Sequence, residues 1–382
     1  MTEPETLPKH AFVDALRGIA VLLVMLTHTA QAVTGLAGPL DALAKYGQTG
    51  VQLFFVASAY TLCLSHARRA HETRPVASFY LRRLFRIAPL YIVGIATYFA
   101  LHLLRQGAGP WVLEPYTPAH VAANLFFVHG FVPAANNNIV PGGWSIGTEM
   151  AFYALFPLLF AGAARLAAWR SSALAALVIG FALLHTLLQA LWLQVTPLAV
   201  AGNNFVYFNL VTQLPVFGLG LLAWFAQEDG RAAPWPAWAR VLLLVGATGL
   251  TLLLWRTRQP WLFALIPVTA ALAFLALLQL LRSATRLPRW LCRVGSVSYS
   301  MYVFHFLFAW TVVPMLLHDR FDELGPTATL ALSFALVLAG TFAVAVFSER
   351  FIEARGIAWG RRLIRRLQAA RGAASGPVGD VR

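Results

Sequence analysis

The chain has 382 residues, 59% of them apolar and only 12% charged, against about 45–50% and 25% in soluble domains. Many of its apolar runs approach or exceed the ~20 residues that carry a helix across a ~30 Å hydrocarbon core, which excludes a soluble globular protein, an all-β domain and a disordered chain. The net charge of +14 would suggest nucleic acid in a soluble protein, but membrane topology accounts for it here and no nucleic-acid partner is expected.

The pattern predicts an all-α polytopic integral membrane protein. Its ten spans fall near residues 12–34, 50–65, 87–104, 145–167, 172–195, 210–227, 236–254, 261–281, 296–317 and 327–349. The first run carries Arg17 and His28 and lacks a small-residue cleavage site, so it reads as a retained first span. Residues 119–132 are apolar but short and hold two histidines, which fits a re-entrant or interfacial segment. Ten spans with both termini cytoplasmic leave only Lys45, Arg105, Arg256, Arg258 and Arg320 outside among the 29 basic residues. Counting 119–132 as a span would put the arginine-rich tail outside, against the tendency of basic residues to stay in.

Three regions follow: a cytoplasmic N-terminus over 1–11, a membrane domain over 12–353, and a basic, disordered cytoplasmic tail over 354–382. The long external loop, 105–144, contains Asn136, Asn137, Asn138, Pro141, Gly142 and Gly143, and long loops in compact proteins are often functional. Cys63 and Cys292 form no disulfide framework and no zinc-type spacing. No metal is expected, and no internal repeat is evident.

Ionisable side chains are costly in hydrocarbon, so each one inside a span is a functional candidate. In DALRGIAVLLVMLTH, His28 follows Arg17 by eleven residues, three turns plus about 20°, so the two share a helix face. This predicts His28 near mid-bilayer, roughly 16 Å deeper than Arg17. In WSIGTEMAFYALFP, Glu149 enters a span from the outer side, and Ser145, four residues before it, with Phe152 and Tyr153, three and four after, gives one face a polar-aromatic group. In GSVSYSMYVFH, Ser298, Tyr302 and His305 form a polar stripe, with His305 at a depth similar to that of His28. Helix packing through hydrogen bonds is the alternative for each of these. Arg82, Arg83 and Arg86 crowd the start of the third span; Arg83 and Arg86 share a face and could grip a phosphate, although lipid headgroups would also suit them.

Together these segments resemble the integral-membrane acyltransferase-3 family, which includes O-antigen and exopolysaccharide O-acetylases and Nod-factor acetylases. The resemblance rests on the Arg17–His28 spacing, GVQLFFVASAY from Gly50, the arginine pair in FYLRRLFRIAPLY, WSIGTEMAFYALFP, QLPVFGLG from Gln213, GSVSYSMYVFH and the late Glu349. They fall in the family's order over nearly the whole chain. Gln52 and Ala59 depart from the family pattern, which usually has an acidic or small residue and a glycine there.

The resemblance implies O-acyl, by default O-acetyl, transfer from acyl-CoA on the cytoplasmic side to a hydroxyl of a cell-surface or lipid-linked glycan. Acyl-CoA would be a co-substrate, with no bound cofactor, in a bacterial inner membrane. Arg17, Arg83 and Arg86 would meet the CoA phosphates. His28 would serve as general base, or as a transiently acylated nucleophile, because a neutral imidazole suits removal of a hydroxyl proton. Glu149 would orient the acceptor hydroxyl or stabilise charge on the histidine; Trp144, Ser145, Tyr302 and His305 are acceptor-site candidates. A transporter or flippase using intramembrane His and Glu is the rival reading, although the repeats common in transporters are not evident.

Overall fold

A computed structural model describes residues 10–105, 116–195, 205–228, 235–257, 262, 264–317 and 324–374. Among the described residues ten helices are long and apolar enough to cross a membrane, so the chain is an all-α polytopic membrane protein. Helix α1 (Ala11–Ala30) leads through a turn to α2 (Gly38–Tyr46), which runs with one 3-10 turn into α3 (Gly50–Ala67). Then come α4 (Pro75–Leu104), the short α5 (Pro118–Leu125), α6 (Gly143–Trp169) and α7 (Ser171–Val195). The second half holds α8 (Leu210–Glu228), α9 (Ala237–Thr257), α10 (Leu265–Ser283), the short α11 (Arg289–Ser296) and α12 (Ser298–Leu307). Last are α13 (Pro326–Ser348) and α14 (Ala354–Ala374), joined by a π-helical turn at Glu349–Glu353.

Local chemistry sets several boundaries. Pro75, Pro118 and Pro326 each stand at the first turn of a helix, where the missing N–H costs nothing. Thr117 caps α5 by accepting the amide of His120. Gly142 precedes α6 with a φ of 74°, a left-handed conformation that favours glycine.

An aromatic core holds the inner helices together. Phe152 of α6 stacks on Phe217 of α8 at 3.9 Å, and Phe217 stacks on Phe55 of α3 at 4.5 Å. Between the same helices Gln52 donates to Gln213 at 3.0 Å, and Gln213 donates to the Tyr207 carbonyl at 2.7 Å. Both glutamines are fully buried, so the unusual Gln52 serves as a polar clamp. Ala59 packs against Gly220 of α8, which leaves room for the methyl group. Leu183, Leu187 and Leu191 of α7 and Leu242 and Leu253 of α9 stay exposed, as faces turned to lipid require.

Each expected span has its helix, but three boundaries differ and matter. First, α1 ends at Ala30 rather than near 34, so His28 sits in its last turn and not at mid-span. Second, α4 begins at Pro75, two to three turns before Arg83 and Arg86, because the amphipathic arginine run continues the helix ahead of the uniformly apolar stretch. Third, residues 354–374 are helical, where a disordered tail was expected; Gly356 and Gly360 let α14 approach Phe85 and Pro89 of α4 closely. Residues 375–382 of that tail lie outside the described residues, as do 1–9 of the N-terminal segment and Lys9, Arg231, Arg258, Arg320 and Arg382 of the topology argument. Residues 119–132 form α5 and a 3-10 turn rather than a crossing.

Candidate functional site

Five helices place polar side chains around one cavity of about 70 Å³. From α1 comes Arg17, from α3 Ser58, from α4 Arg83 and Arg86, and from α6 Ser145, Glu149 and Tyr153. Helix α12 adds Ser298, Tyr299 and Tyr302. Three guanidiniums thus share the lining with a single carboxylate, a balance of charge that favours an anion.

Hydrogen bonds hold this lining in place. Glu149 accepts from Ser58 Oγ at 2.5 Å and from the Tyr153 hydroxyl. Arg83 lies over the Tyr153 ring, 5.8 Å from its centre. Arg83 Nε is buried and has no hydrogen-bond partner among the described residues. Arg17 donates to Thr61 Oγ1 at 3.3 Å. Arg82 is different: it donates to both Glu72 carboxylate oxygens at 3.0 and 2.8 Å and does not line the cavity.

Ser145 links the cavity to a second group. Its hydroxyl donates to Tyr302 Oη at 2.8 Å, while the Tyr302 hydroxyl donates to the Gly142 carbonyl at 3.1 Å. One turn further along α12, His305 Nδ1 donates to the Tyr302 carbonyl at 2.6 Å. The His305 ring lies 5.2 Å from the His28 ring, centre to centre. His28 Nδ1 in turn meets Gln31 Oε1 at 3.1 Å, and Phe306 and Trp310 enclose its ring. The expected likeness in depth of His28 and His305 corresponds to this contact.

Thus Arg17, Arg83, Arg86, Ser145, Glu149 and Tyr302 converge on the cavity, and His28 and His305 form a pair beyond it. Two expected placements change. Glu149 sits among the arginines, not beside His28, because it descends α6 to the level of Ser58. Trp144 does not reach the cavity: it is buried and stacks on Phe208 at 4.3 Å.

Several contributors escaped the sequence reading. Ser58 is neutral and looks like an ordinary helix residue until it meets Glu149, where Tyr153, already noted on the same helix as Glu149, also donates. Glu353 is buried and accepts from Ser300, which also accepts from Ser348 at 2.7 Å; the π turn aims it inward. Glu349, by contrast, pairs with Arg293 at 3.0 Å on the partly exposed surface. His129 is fully buried beneath α6, with Nε2 donating to the Gly143 carbonyl at 3.0 Å and lying 3.2 Å from the Tyr91 hydroxyl. A second histidine in a short apolar segment was its only signal.

A family model described as "Acyltransferase domain" matches residues 10–348, a range that includes every group in the cavity and the histidine pair. The chain belongs to the acyltransferase-3 family. Among relatives of this acyltransferase is the "Putative membrane-bound transacylase BcsY" of Komagataeibacter xylinus, 28% identical over 312 residues, 77% of this chain and 71% of that protein. Another is the "Exopolysaccharide production protein ExoZ" of Rhizobium meliloti, 34% identical over 112 residues, 29% of this chain and 33% of that protein. No solved structure matches the chain.

Proposed function

We propose that this acyltransferase moves a short acyl group, acetyl by default, from acyl-CoA to a hydroxyl of a cell-surface or lipid-linked glycan. The observation that carries the reading is the cavity with Arg17, Arg83 and Arg86 in its wall. At about 70 Å³ it suits one phosphoryl group of the donor rather than a nucleotide, and charge-assisted bonds from guanidinium groups favour a phosphate.

Arg17 and His28 share a face of α1, about 16 Å apart along its axis. A pantetheine arm extended along that face would carry a thioester from the arginine end to the histidine pair. Tyr302 and Ser145 lie between the two ends. With Nδ1 donating to Gln31, His28 keeps Nε2 free to take a hydroxyl proton. The acceptor oxygen then bonds the acyl carbon as the carbon–sulfur bond breaks, and the thiolate takes up the proton. Glu149 holds Tyr153, and through its ring Arg83, in position for the donor.

The positive-inside tendency assigns the arginine end to the cytoplasm, where acyl-CoA is found, and the histidine end to the outer half of a bacterial inner membrane. Names of the two relatives, a transacylase and an exopolysaccharide production protein, support a glycan acceptor. Purified protein in detergent should bind acetyl-CoA, and labelled acetyl-CoA should acylate glycans in membranes that contain the protein. Failure to bind acetyl-CoA, together with substrate transport by reconstituted vesicles, would replace this reading with that of a transporter.

A further inference from the structure

His305 is fully buried, and its protonation pattern follows from its neighbours. A carbonyl oxygen only accepts, so the contact with Tyr302 requires a proton on Nδ1. In the neutral ring Nε2 is then a bare lone pair, and the structure gives that atom no hydrogen-bond partner. A buried acceptor without a donor is uncommon in a folded protein and asks for one. The neighbouring imidazole belongs to His28, with ring centres 5.2 Å apart, and its Nδ1 is committed to Gln31. In the resting state His28 Nε2 also carries no proton, so the pair offers two lone pairs and no shared hydrogen.

From this we infer that His305 is a positioning residue that acts through His28, an inference that rests on His28 being the general base. When His28 Nε2 removes the acceptor's hydroxyl proton, His305 Nε2 accepts a hydrogen bond from the new N–H. The two imidazoles hold one proton between them while the oxygen–carbon bond forms and the carbon–sulfur bond breaks. The proton then passes to the departing thiolate, and both rings return to the neutral state. Atoms balance as alcohol plus thioester giving ester plus thiol.

Two features fit such a device better than packing. An apolar residue would fill this interior without leaving a lone pair unmatched. Phe306 lies 4.1 Å from the His305 ring, the Trp310 N–H donates to the His28 carbonyl at 3.2 Å rather than to either imidazole, and the Tyr302 carbonyl fixes the ring's tautomer as a carboxylate or carbonyl does for other working histidines.

The test measures transfer from labelled acetyl-CoA to glycans in membrane vesicles, for wild type, His305→Ala, His305→Gln, His28→Ala and the His28→Ala, His305→Ala double variant. Acetyl-CoA binding and elution as a single species in detergent check the fold. His305→Ala should lower kcat about 10²-fold, within the range of general-base effects, with KM for acetyl-CoA unchanged. His305→Gln, whose amide oxygen can still accept, should recover part of the loss. The double variant should be no slower than His28→Ala alone, since groups acting as a unit do not add. If His305→Ala keeps wild-type kcat while His28→Ala is inactive, only the inference on His305 falls. An equal further loss in the double variant overturns it as well, because that marks an independent structural role. Full transfer by His28→Ala would overturn both the base assignment and the inference.

Discussion

Three arginines within one turn of sequence separate by role only when their partners are known. Arg82 is bound by Glu72, whereas Arg83 and Arg86 face the cavity. Replacing Arg83 or Arg86 by alanine should therefore weaken acyl-CoA binding by about 1.5–3 kcal/mol, roughly tenfold or more. Arg82→Ala should leave that affinity near wild type; calorimetry on the three variants checks the contrast, and equal losses would indicate a general effect of charge. His129 makes a second prediction. Burial holds its imidazole below the ordinary value of 6.5, so the unfolded chain takes up a proton before the native one does. Its contribution to stability is complete above 6.5 and is lost as the pH falls below that value. Thermal melts in detergent should show wild type losing more stability than His129→Asn between pH 7.5 and 5.5. Arg17, His28 and Glu149 were legible because an ionisable group in an apolar run is conspicuous. Ser58 was not, since hydroxyls in helices are common and its partner Glu149 lies far away in sequence.

Helix contacts set the site's dimensions. Where α1 meets α11, a Cβ on Gly295 would fall 1.7 Å from the Asp14 carbonyl oxygen, and one on Gly18 would fall 2.4 Å from that of Leu291. Backbone cannot yield as a side-chain tip does, so Gly295→Ala should destabilise by about 1–3 kcal/mol or more. Gly246→Ala, on lipid-side α9 with open space around it, should be neutral or up to about 1 kcal/mol stabilising through helix propensity. Melting temperatures of the two variants would show the difference; equal effects would refute the packing argument. At this scale the sequence revealed each span through its apolar length but not where helices begin and end. Arginines hid the first turns of α4, and an apolar stretch past Ala30 concealed the end of α1. The π turns at Phe308–Val312 and Glu349–Glu353 leave no periodicity to read, yet one of them turns Glu353 inward.

Across the whole molecule, the arrangement is a bundle with a cationic cavity towards one end and paired imidazoles towards the other. Ten candidate spans among the described residues would return the chain to the side where it started, and that side is proposed to be the cytoplasm because basic residues tend to stay there. Single cysteines placed at Val132 and Arg366, both exposed, should react with an impermeant reagent from opposite faces of the membrane. Reaction of both from one face would overturn the orientation and with it the route from donor to acceptor. The central claim is that the arginine end binds the donor and His28 performs the chemistry. It is tested most directly by acetyl-CoA binding and single-turnover transfer measured on His28→Gln. The account predicts unchanged binding and transfer slowed by about 10²–10⁴-fold; a Gln variant that turns over at close to the wild-type rate would contradict it.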